Sequence, residues 1–189
     1  NNGESYIEHI ESRQIKKALN NSFEATSDYA KISKIDVILI CVPTPLGPHN
    51  EPDLSFVHST LDLAKPFFKE NQILILESTT YPGTTEEEII PFIESINEIN
   101  TSKKKFTVGE NFFVGYSPER EDPGNEDFST KTIPKVVSGY SNECLILVSA
   151  IYNKIVDKTV KVSSPRVAEM TKILENIYSC LLYTSPSPR

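Results

Sequence analysis

Short, almost continuously apolar segments separated by amphipathic stretches are the strongest constraint on the fold of this chain. Residues 35–41 (Ile-Asp-Val-Ile-Leu-Ile-Cys) and 73–76 (Ile-Leu-Ile-Leu) carry apolar side chains at nearly every position. Such runs are typical of strands that are buried on both faces, as parallel strands in α/β proteins are. Weaker strand patterns follow at 112–116, 135–138 and 159–162.

The segments between these strands have helical patterns. We expect Asp53 to cap the first of them, and Thr84 with Glu87 to form a capping box at the start of the next. A further pattern covers 141–154, and a last one opens at 164–165, with serine as N-cap and proline in the first helical position. Strands that alternate with helices predict a doubly wound, Rossmann-like α/β fold with a parallel sheet. The apolar face of the first helix comprises Leu54, Val57, Leu61, Ala64 and Phe68.

The composition excludes several classes of protein. Of the 189 residues, 38% are hydrophobic and 24% charged, which is enough for a packed core. Nineteen Lys and Arg against 26 Asp and Glu give a formal net charge of −7, which argues against nucleic-acid binding. The apolar runs are too short to cross a bilayer, and the acidic first 20 residues do not resemble a signal peptide. Three widely spaced cysteines lack metal-ligand spacing. We therefore expect a cytoplasmic protein without a nucleic-acid partner, a membrane partner or a metal site.

Polar motifs follow the first two predicted strands, at the point where each ends. They are residues 41–45 (Cys-Val-Pro-Thr-Pro) and 77–85 (Glu-Ser-Thr-Thr-Tyr-Pro-Gly-Thr-Thr). Doubly wound sheets bind ligands beyond the carboxyl ends of their strands, and a helix N-terminus there favours anions. Taken alone, the first motif is better explained as a proline-stiffened turn. Helix capping accounts for the end of the second motif but not for Ser78 and Thr79 at the strand tip.

Two later segments carry charged side chains. Residues 116–125 (Tyr-Ser-Pro-Glu-Arg-Glu-Asp-Pro-Gly-Asn) follow the third strand, so that Glu119 is a candidate general base at the same crevice. A solvated loop is an equally good explanation of that segment. Lys172 and Asn176 are four residues apart and therefore share one helix face. They offer a cation and an amide donor to a developing oxyanion, although a surface lysine beside a polar neighbour is the simpler alternative.

In this order and at these intervals, the four segments resemble the UDP-glucose/GDP-mannose dehydrogenase family, the NAD-dependent nucleotide-sugar 6-dehydrogenases. The resemblance covers roughly residues 3–179 and is carried by 36–45, 77–85, 117–125 and 163–172. The forms of the second and third blocks look most like the branch that acts on UDP-N-acetylglucosamine.

The resemblance implies oxidation of the sugar C6 alcohol to a carboxylate in two hydride transfers to NAD, for surface polysaccharide synthesis. A cysteine captures the aldehyde as a thiohemiacetal, and the resulting thioester is hydrolysed. Thr79 would help to hold a catalytic water, Glu119 would assist hydrolysis, and Lys172 with Asn176 would stabilise oxyanions. The implied cofactor-binding residues are Val42, Pro43, Thr44, Ser78 and Thr79.

The sequence also departs from the family pattern. No two of its seven glycines are two apart, so the G-x-G-x-x-G motif is absent, and no cysteine occupies the position of the nucleophile. Cys144 is expected to be a small packing residue. We therefore expect an internal fragment that is inactive alone. Residues 1–163 would be the remainder of an NAD-binding, Rossmann-like domain that lacks its first βαβ unit, 164–179 would begin a central dimerisation helix, and 180–189 would form a mismatched, non-native tail.

Three alternatives stay open. UDP-glucose or UDP-N-acetylmannosamine would suit the same residues, because the part that would contact the sugar is not represented. A non-catalytic, Rossmann-like remnant that binds or dimerises is a third possibility. The joint presence of Thr79, Glu119, Lys172 and Asn176 argues against it, since such a remnant needs neither a hydrolytic base nor an oxyanion-stabilising lysine. The resemblance further implies a homodimer or higher homo-oligomer in the full-length enzyme.

Overall fold

The computed structural model describes residues 3–5, 10–47, 51–99, 105–119 and 132–184, with only the backbone described at 98–99 and 179–184. The strands are β1 (Val37–Ile40), β2 (Gln72–Leu76), β3 (Phe112–Tyr116), β4 (Lys135–Gly139) and β5 (Thr159–Lys161). The α-helices are α1 (Ser12–Asn20), α2 (Ser55–Ala64), α3 (Ile90–Ile99), α4 (Asn142–Tyr152) and α5 (Pro165–Thr184). Short 3-10 helices cover Tyr29–Lys34 and Lys65–Phe67, and a π-helical turn at Thr85–Ile89 leads into α3.

The five strands form one sheet in the order β1-β2-β3-β4-β5. The first three are parallel, with α2 and α3 as the crossover helices between them, and β5 is parallel to β4 through α4. This α/β arrangement confirms the predicted fold class. The expectation of a parallel sheet is wrong at one junction, because β4 runs antiparallel to β3. An antiparallel neighbour needs no crossover helix, whereas a parallel one does.

Helices cover both faces of the sheet. The alternate residues Leu74 and Leu76 of β2 belong to a core shared with α2 and α3, and the intervening Ile73 and Ile75 pack with residues of α4. All five residues of β2 are buried, as the continuous apolar run predicts. Cys144 of α4 is fully buried, which confirms its predicted packing role.

Two predicted helix caps are wrong in detail. The N-cap position of α2 is Leu54, and Asp53 instead accepts a hydrogen bond from the Ser55 amide through its side chain, at 2.8 Å. The capping box at 84–87 does not form: the Thr84 hydroxyl donates to the Tyr81 carbonyl at 2.8 Å, and the Glu87 amide donates to the Gly83 carbonyl. The turn before the π-helical segment therefore engages the Thr84 hydroxyl and the Glu87 amide, which would have been bonded to each other in a capping box.

The last helix begins as predicted and ends later than predicted. Ser164 accepts a hydrogen bond from the Val167 amide through its hydroxyl, and Pro165 is the first residue of α5. α5 continues to Thr184 and so includes the first residues of the segment 180–189, whose assignment as a mismatched tail stays a prediction. The rest of the predicted tail, 185–189, lies outside the described residues. Among the described helices, none combines the length and the apolar character that a membrane span requires.

Candidate functional site

Hydrogen bonds join the loops that follow β1 and β2 at the carboxyl ends of these strands. The Thr44 hydroxyl donates to the Thr79 carbonyl at 2.5 Å, and the Ser78 hydroxyl donates to the Val42 carbonyl at 2.7 Å. Ser78 is buried, so its hydroxyl holds the two loops together and does not face solvent. Val42 is half-buried and Pro43 is exposed. The predicted cofactor-binding residues therefore form one rigid pair of loops.

Thr79 and Glu119 follow equivalent positions of neighbouring strands. Leu76 of β2 is the register partner of Tyr116 of β3. Thr79 lies three positions after Leu76, and Glu119 lies three positions after Tyr116. Thr79 is half-buried, and no group within the described ranges is hydrogen-bonded to its hydroxyl. Glu119 is 48% exposed at its side chain. The structure thus delivers a hydroxyl and a carboxylate to the same edge of the sheet.

A buried ion pair, not predicted from the sequence, lies at this edge. The Lys135 ammonium nitrogen is 3.2 Å from a Glu77 carboxylate oxygen, and the two side chains are only 8% and 11% exposed. The same nitrogen is 3.5 Å from Glu119 Oε2. The Tyr152 hydroxyl donates to Glu77 Oε1, and the ammonium lies 5.3 Å from the centre of the Tyr152 ring. Residues after β2 and β3, together with one residue of α4, therefore surround a cation that β4 supplies.

Cys41 borders this cluster and is uncharged at neutral pH. Its thiol donates to Glu77 Oε2 across 3.5 Å. Burial, and after it the negative charge of Glu77, raises the pKa of Cys41 from 9.0 to about 11. Burial, together with its hydrogen bond to Glu77, likewise raises the pKa of Tyr152. Both groups therefore stay protonated across the physiological range, and Cys41 is unsuited to act as a thiolate nucleophile.

The helix N-terminus that the sequence suggests as an anion site holds a carboxylate of the chain itself. Glu169 of α5 is fully buried and accepts hydrogen bonds from the Gly83 amide at 2.5 Å, the Thr85 amide at 2.9 Å and the Thr85 hydroxyl at 2.7 Å. Gly83 adopts φ of +113°, which side chains rarely tolerate, and so turns its amide toward this carboxylate. Burial and, after it, the Glu169 charge raise the pKa of Tyr116 nearby.

This carboxylate anchors the helix that carries Lys172 and Asn176. Arg166, one turn before Glu169, adds exposed ion pairs to Glu87 at 2.6 Å and Glu86 at 3.3 Å. Lys172 is half-buried and Asn176 is exposed, and within the described part of the chain neither is bonded to Thr79 or Glu119. The structure therefore fixes the base of α5 against the Thr79 loop without joining all four predicted catalytic residues directly.

Glu169 and Lys135 were not predicted as parts of this site, and only Glu169 has a recognisable pattern in the sequence. Glu169, Lys172 and Asn176 are spaced three and four apart, so they form a polar stripe on one helical face. That stripe pointed to Glu169. A lysine at the start of a strand, such as Lys135, is usually solvated, and nothing local to the sequence distinguishes it.

Other parts of the described structure contribute no chemistry to this edge. A cavity of about 620 Å³ lies at the opposite end of β1, next to the 3-10 helix Tyr29–Lys34, and none of the predicted site residues lines it. No cluster of metal-ligating side chains occurs among the residues whose placement is described.

The fold and this site define a dinucleotide-binding domain of the doubly wound type, with its polar residues beyond the carboxyl ends of the strands. The family model for the UDP-glucose/GDP-mannose dehydrogenase family, NAD binding domain, matches residues 1–156. The chain therefore belongs to this family, which confirms the resemblance seen in the sequence. NAD is the cofactor of the matched domain, as predicted.

Curated proteins and solved structures are similar to this chain over most of its length. It is 40% identical over 161 residues to the protein CapL of Staphylococcus aureus, covering 85% of this chain and 36% of CapL. It is 36% identical over 168 residues to a UDP-N-acetyl-D-glucosamine 6-dehydrogenase of Pseudomonas aeruginosa, covering 88% and 38%. A structure of the UDP-N-acetyl-mannosamine dehydrogenase Cap5O of S. aureus superposes with a TM-score of 0.76 at 28% identity, covering 94% and 42%. The chain thus spans well under half the length of these relatives.

The described residues fit one part of an NAD site. The Thr79 hydroxyl and the backbone of 42–44 border the crevice where a doubly wound sheet binds a dinucleotide. At the start of the helical turn Thr85–Ile89, which leads into α3, Glu169 in contrast takes the Gly83 and Thr85 amides that a phosphate would need. NAD would therefore contact the strand-end loops and not the start of this helix.

Proposed function

We propose that this chain is part of a nucleotide-sugar dehydrogenase that oxidises the C6 alcohol of UDP-N-acetylglucosamine to a carboxylate, for surface polysaccharide synthesis. The observation that carries the proposal is the register of β2 and β3, which brings Thr79 and Glu119 to one sheet edge. The likeness to a UDP-N-acetyl-D-glucosamine 6-dehydrogenase supports this sugar. UDP-N-acetylmannosamine is the main competitor, since Cap5O acts on that sugar, and UDP-glucose is the third candidate.

Each residue has a role that its position supports. NAD, when bound, accepts hydride from the sugar carbon. Thr79 would hold a water molecule near the reacting carbon through a hydroxyl that is not engaged elsewhere in the described chain. Glu119, at the neighbouring strand end, would accept a proton from that water during thioester hydrolysis. A preorganised ammonium and amide, Lys172 and Asn176, would stabilise the oxyanions that form when sulfur adds to the carbonyl carbon.

We also propose that α5 is the dimerisation helix of the full-length protein. Four of its apolar side chains are between 43% and 58% exposed, an amount that is unusual for one helix face unless a partner covers it. They are Val167, Met170, Leu174 and Ile177.

The test is an NADH-formation assay on the gene product expressed from its whole reading frame. UDP-N-acetylglucosamine, UDP-N-acetylmannosamine and UDP-glucose are compared at equal concentration, and the product is identified by mass spectrometry. We expect two NADH per sugar, an acid product and the highest kcat/KM for UDP-N-acetylglucosamine. Glu119→Gln should slow turnover by about 100-fold or more, the usual contribution of a general base. Absence of NADH formation with all three sugars would refute the proposal, and a preference for another sugar would refute its substrate.

A further inference from the structure

The buried ion pair between Lys135 and Glu77 has no role in the function proposed so far. Removing two charges from water is costly, and a buried ion pair is often no more stabilising than apolar side chains of similar size. Stability alone is therefore a weak reason for placing a lysine and a glutamate, 8% and 11% exposed, inside this edge of the sheet. The position of the pair suggests a reason connected with the site.

The direction of β4 is what brings Lys135 to the crevice. Because β4 is antiparallel to β3, its first residue lies at the same end of the sheet as the last residues of β2 and β3. Lys135 therefore meets Glu77, the residue directly after β2, and Glu119, which follows β3. A parallel fourth strand would have placed its first residue at the opposite edge.

The surroundings of the ammonium fix its position. Glu77 contacts it at 3.2 Å, and the Tyr152 ring lies 5.3 Å from it on another side, within the range of a cation–π contact. The Tyr152 hydroxyl donates to Glu77 and so orients the carboxylate that holds the lysine. The ammonium then contacts Glu119 Oε2 at 3.5 Å. A side chain that is 8% exposed cannot itself reach a substrate, so its effect on chemistry has to pass through Glu119.

The members of the cluster differ in their exposure. One ammonium lies between two carboxylates, and Cys41 adds none, because burial and Glu77 raise the pKa of its thiol to about 11. Glu77 is buried and paired, while Glu119 is 48% exposed. The cluster therefore presents one carboxylate at the crevice, with the cation behind it.

We propose that Lys135 is a positioning residue for Glu119, held in place by Glu77 and Tyr152. The inference rests on the proposed function, in which Glu119 takes a proton from water as the water oxygen attacks the thioester carbon. The carbon–sulfur bond then breaks, sulfur leaves as a thiolate, and the acid product forms. Lys135 serves this hydrolytic step, and the two hydride transfers that precede it do not depend on it.

Rapid-mixing measurement of NADH formation by the full-length enzyme separates these steps. In Lys135→Met we expect a burst of about two NADH per active site at the wild-type rate, and then a steady state about 10- to 100-fold slower, a part of what a general base contributes. KM should change little. Lys135→Arg keeps the charge and should restore most of the steady-state rate. Glu119→Gln should give the same burst, and adding Lys135→Met to it should slow the steady state no further.

A second variant keeps the test valid if Lys135→Met fails to fold with Glu77 left unpaired. The double variant Glu77→Gln/Lys135→Met removes both buried charges, retains a hydrogen-bond acceptor for Tyr152 and should show the same burst. An equal slowing of burst and steady state in both Lys135 variants would indicate a structural role and overturn the proposal. So would an additive effect of Lys135→Met in the Glu119→Gln background. A wild-type enzyme without UDP-sugar-dependent NADH formation would instead refute the proposed function, and this role with it.

Discussion

The anchoring of α5 by Glu169 provides the sharpest prediction about stability. Its two carboxylate oxygens accept three hydrogen bonds, one on Oε2 from the Gly83 amide and two on Oε1 from the Thr85 amide and hydroxyl. Glu169→Gln keeps the shape of the side chain but turns one acceptor into a donor. In either orientation of the new amide, at least one buried backbone N–H then faces another donor. We therefore expect this isosteric change to loosen the contact between α5 and the turn at residues 83–85.

The magnitude follows from these three bonds. Losing a hydrogen bond to a charged group costs about 1.5–3 kcal/mol. Making the other two bonds neutral about halves their strength, which adds about 1.5–3 kcal/mol. Glutamine does not pay the desolvation cost of a buried charge, which offsets part of this sum. A net loss of about 2–4 kcal/mol is expected, and at 1.4 kcal/mol per tenfold it raises local opening about 30- to 700-fold.

Hydrogen exchange of the 83–85 backbone amides measures this opening directly, with thermal melting as the global readout. Glu94→Gln is the matched control, because Glu94 is an exposed residue of α3 and the same change there should alter stability by less than about 0.5 kcal/mol. The reasoning is refuted if Glu169→Gln leaves exchange at 83–85 within the range of the Glu94→Gln control.

Three further predictions concern single side chains. Alkylation of Cys41 should accelerate with an inflection near pH 11, because the reactive thiolate forms only there. Glu77→Gln should move the inflection toward 9.0, and an unmoved inflection would contradict the contribution of Glu77 to the raised pKa. Gly139→Ala should lower the free energy of unfolding by more than about 3 kcal/mol in thermal melting, because the new Cβ would lie 2.1 Å from the Leu145 backbone nitrogen. Gly47→Ala is the control, since its Cβ meets only a flexible glutamate side chain and should destabilise the protein little. Leu174→Glu should lower the mass of the full-length protein in light scattering toward that of a monomer, and an unchanged mass would exclude α5 as the interface.

Local patterns predicted the elements of this fold well. The continuous apolar runs became β1 and β2, and the 3.6-residue period located the face of α2 that is buried. The start of α5 followed from a serine and a proline, whose effects extend over only one turn. Each of these features depends on residues that are close together in the chain.

The predictions that proved wrong have both local and distant causes. The capping box at 84–87 is replaced by a local turn, in which the Thr84 hydroxyl donates to the Tyr81 carbonyl and the Glu87 amide donates to the Gly83 carbonyl. The direction of β4 depends on how the chain returns from β3, and residues 120–131 of that connection lie outside the described structure. A short strand carries no mark of its direction in its own apolar pattern. The strand direction therefore depends on tertiary pairing, whereas the capping error arises from turn geometry within a few residues.

The same long-range pairings account for the charge balance of the site. Each buried charge at the sheet edge has a partner from another element: Glu169 of α5 takes the amides at the start of α3, and Lys135 of β4 takes Glu77 after β2. These groups are therefore already oriented before any ligand binds, and they need not reorganise when charge develops on a reacting atom. In the proposed function, the groups at this edge that would meet a ligand are the half-buried Thr79 hydroxyl and the Glu119 carboxylate, which is 48% exposed. In the proposed hydrolytic step, a water molecule between these two groups would meet a hydroxyl and a proton acceptor, which is what general-base hydrolysis requires.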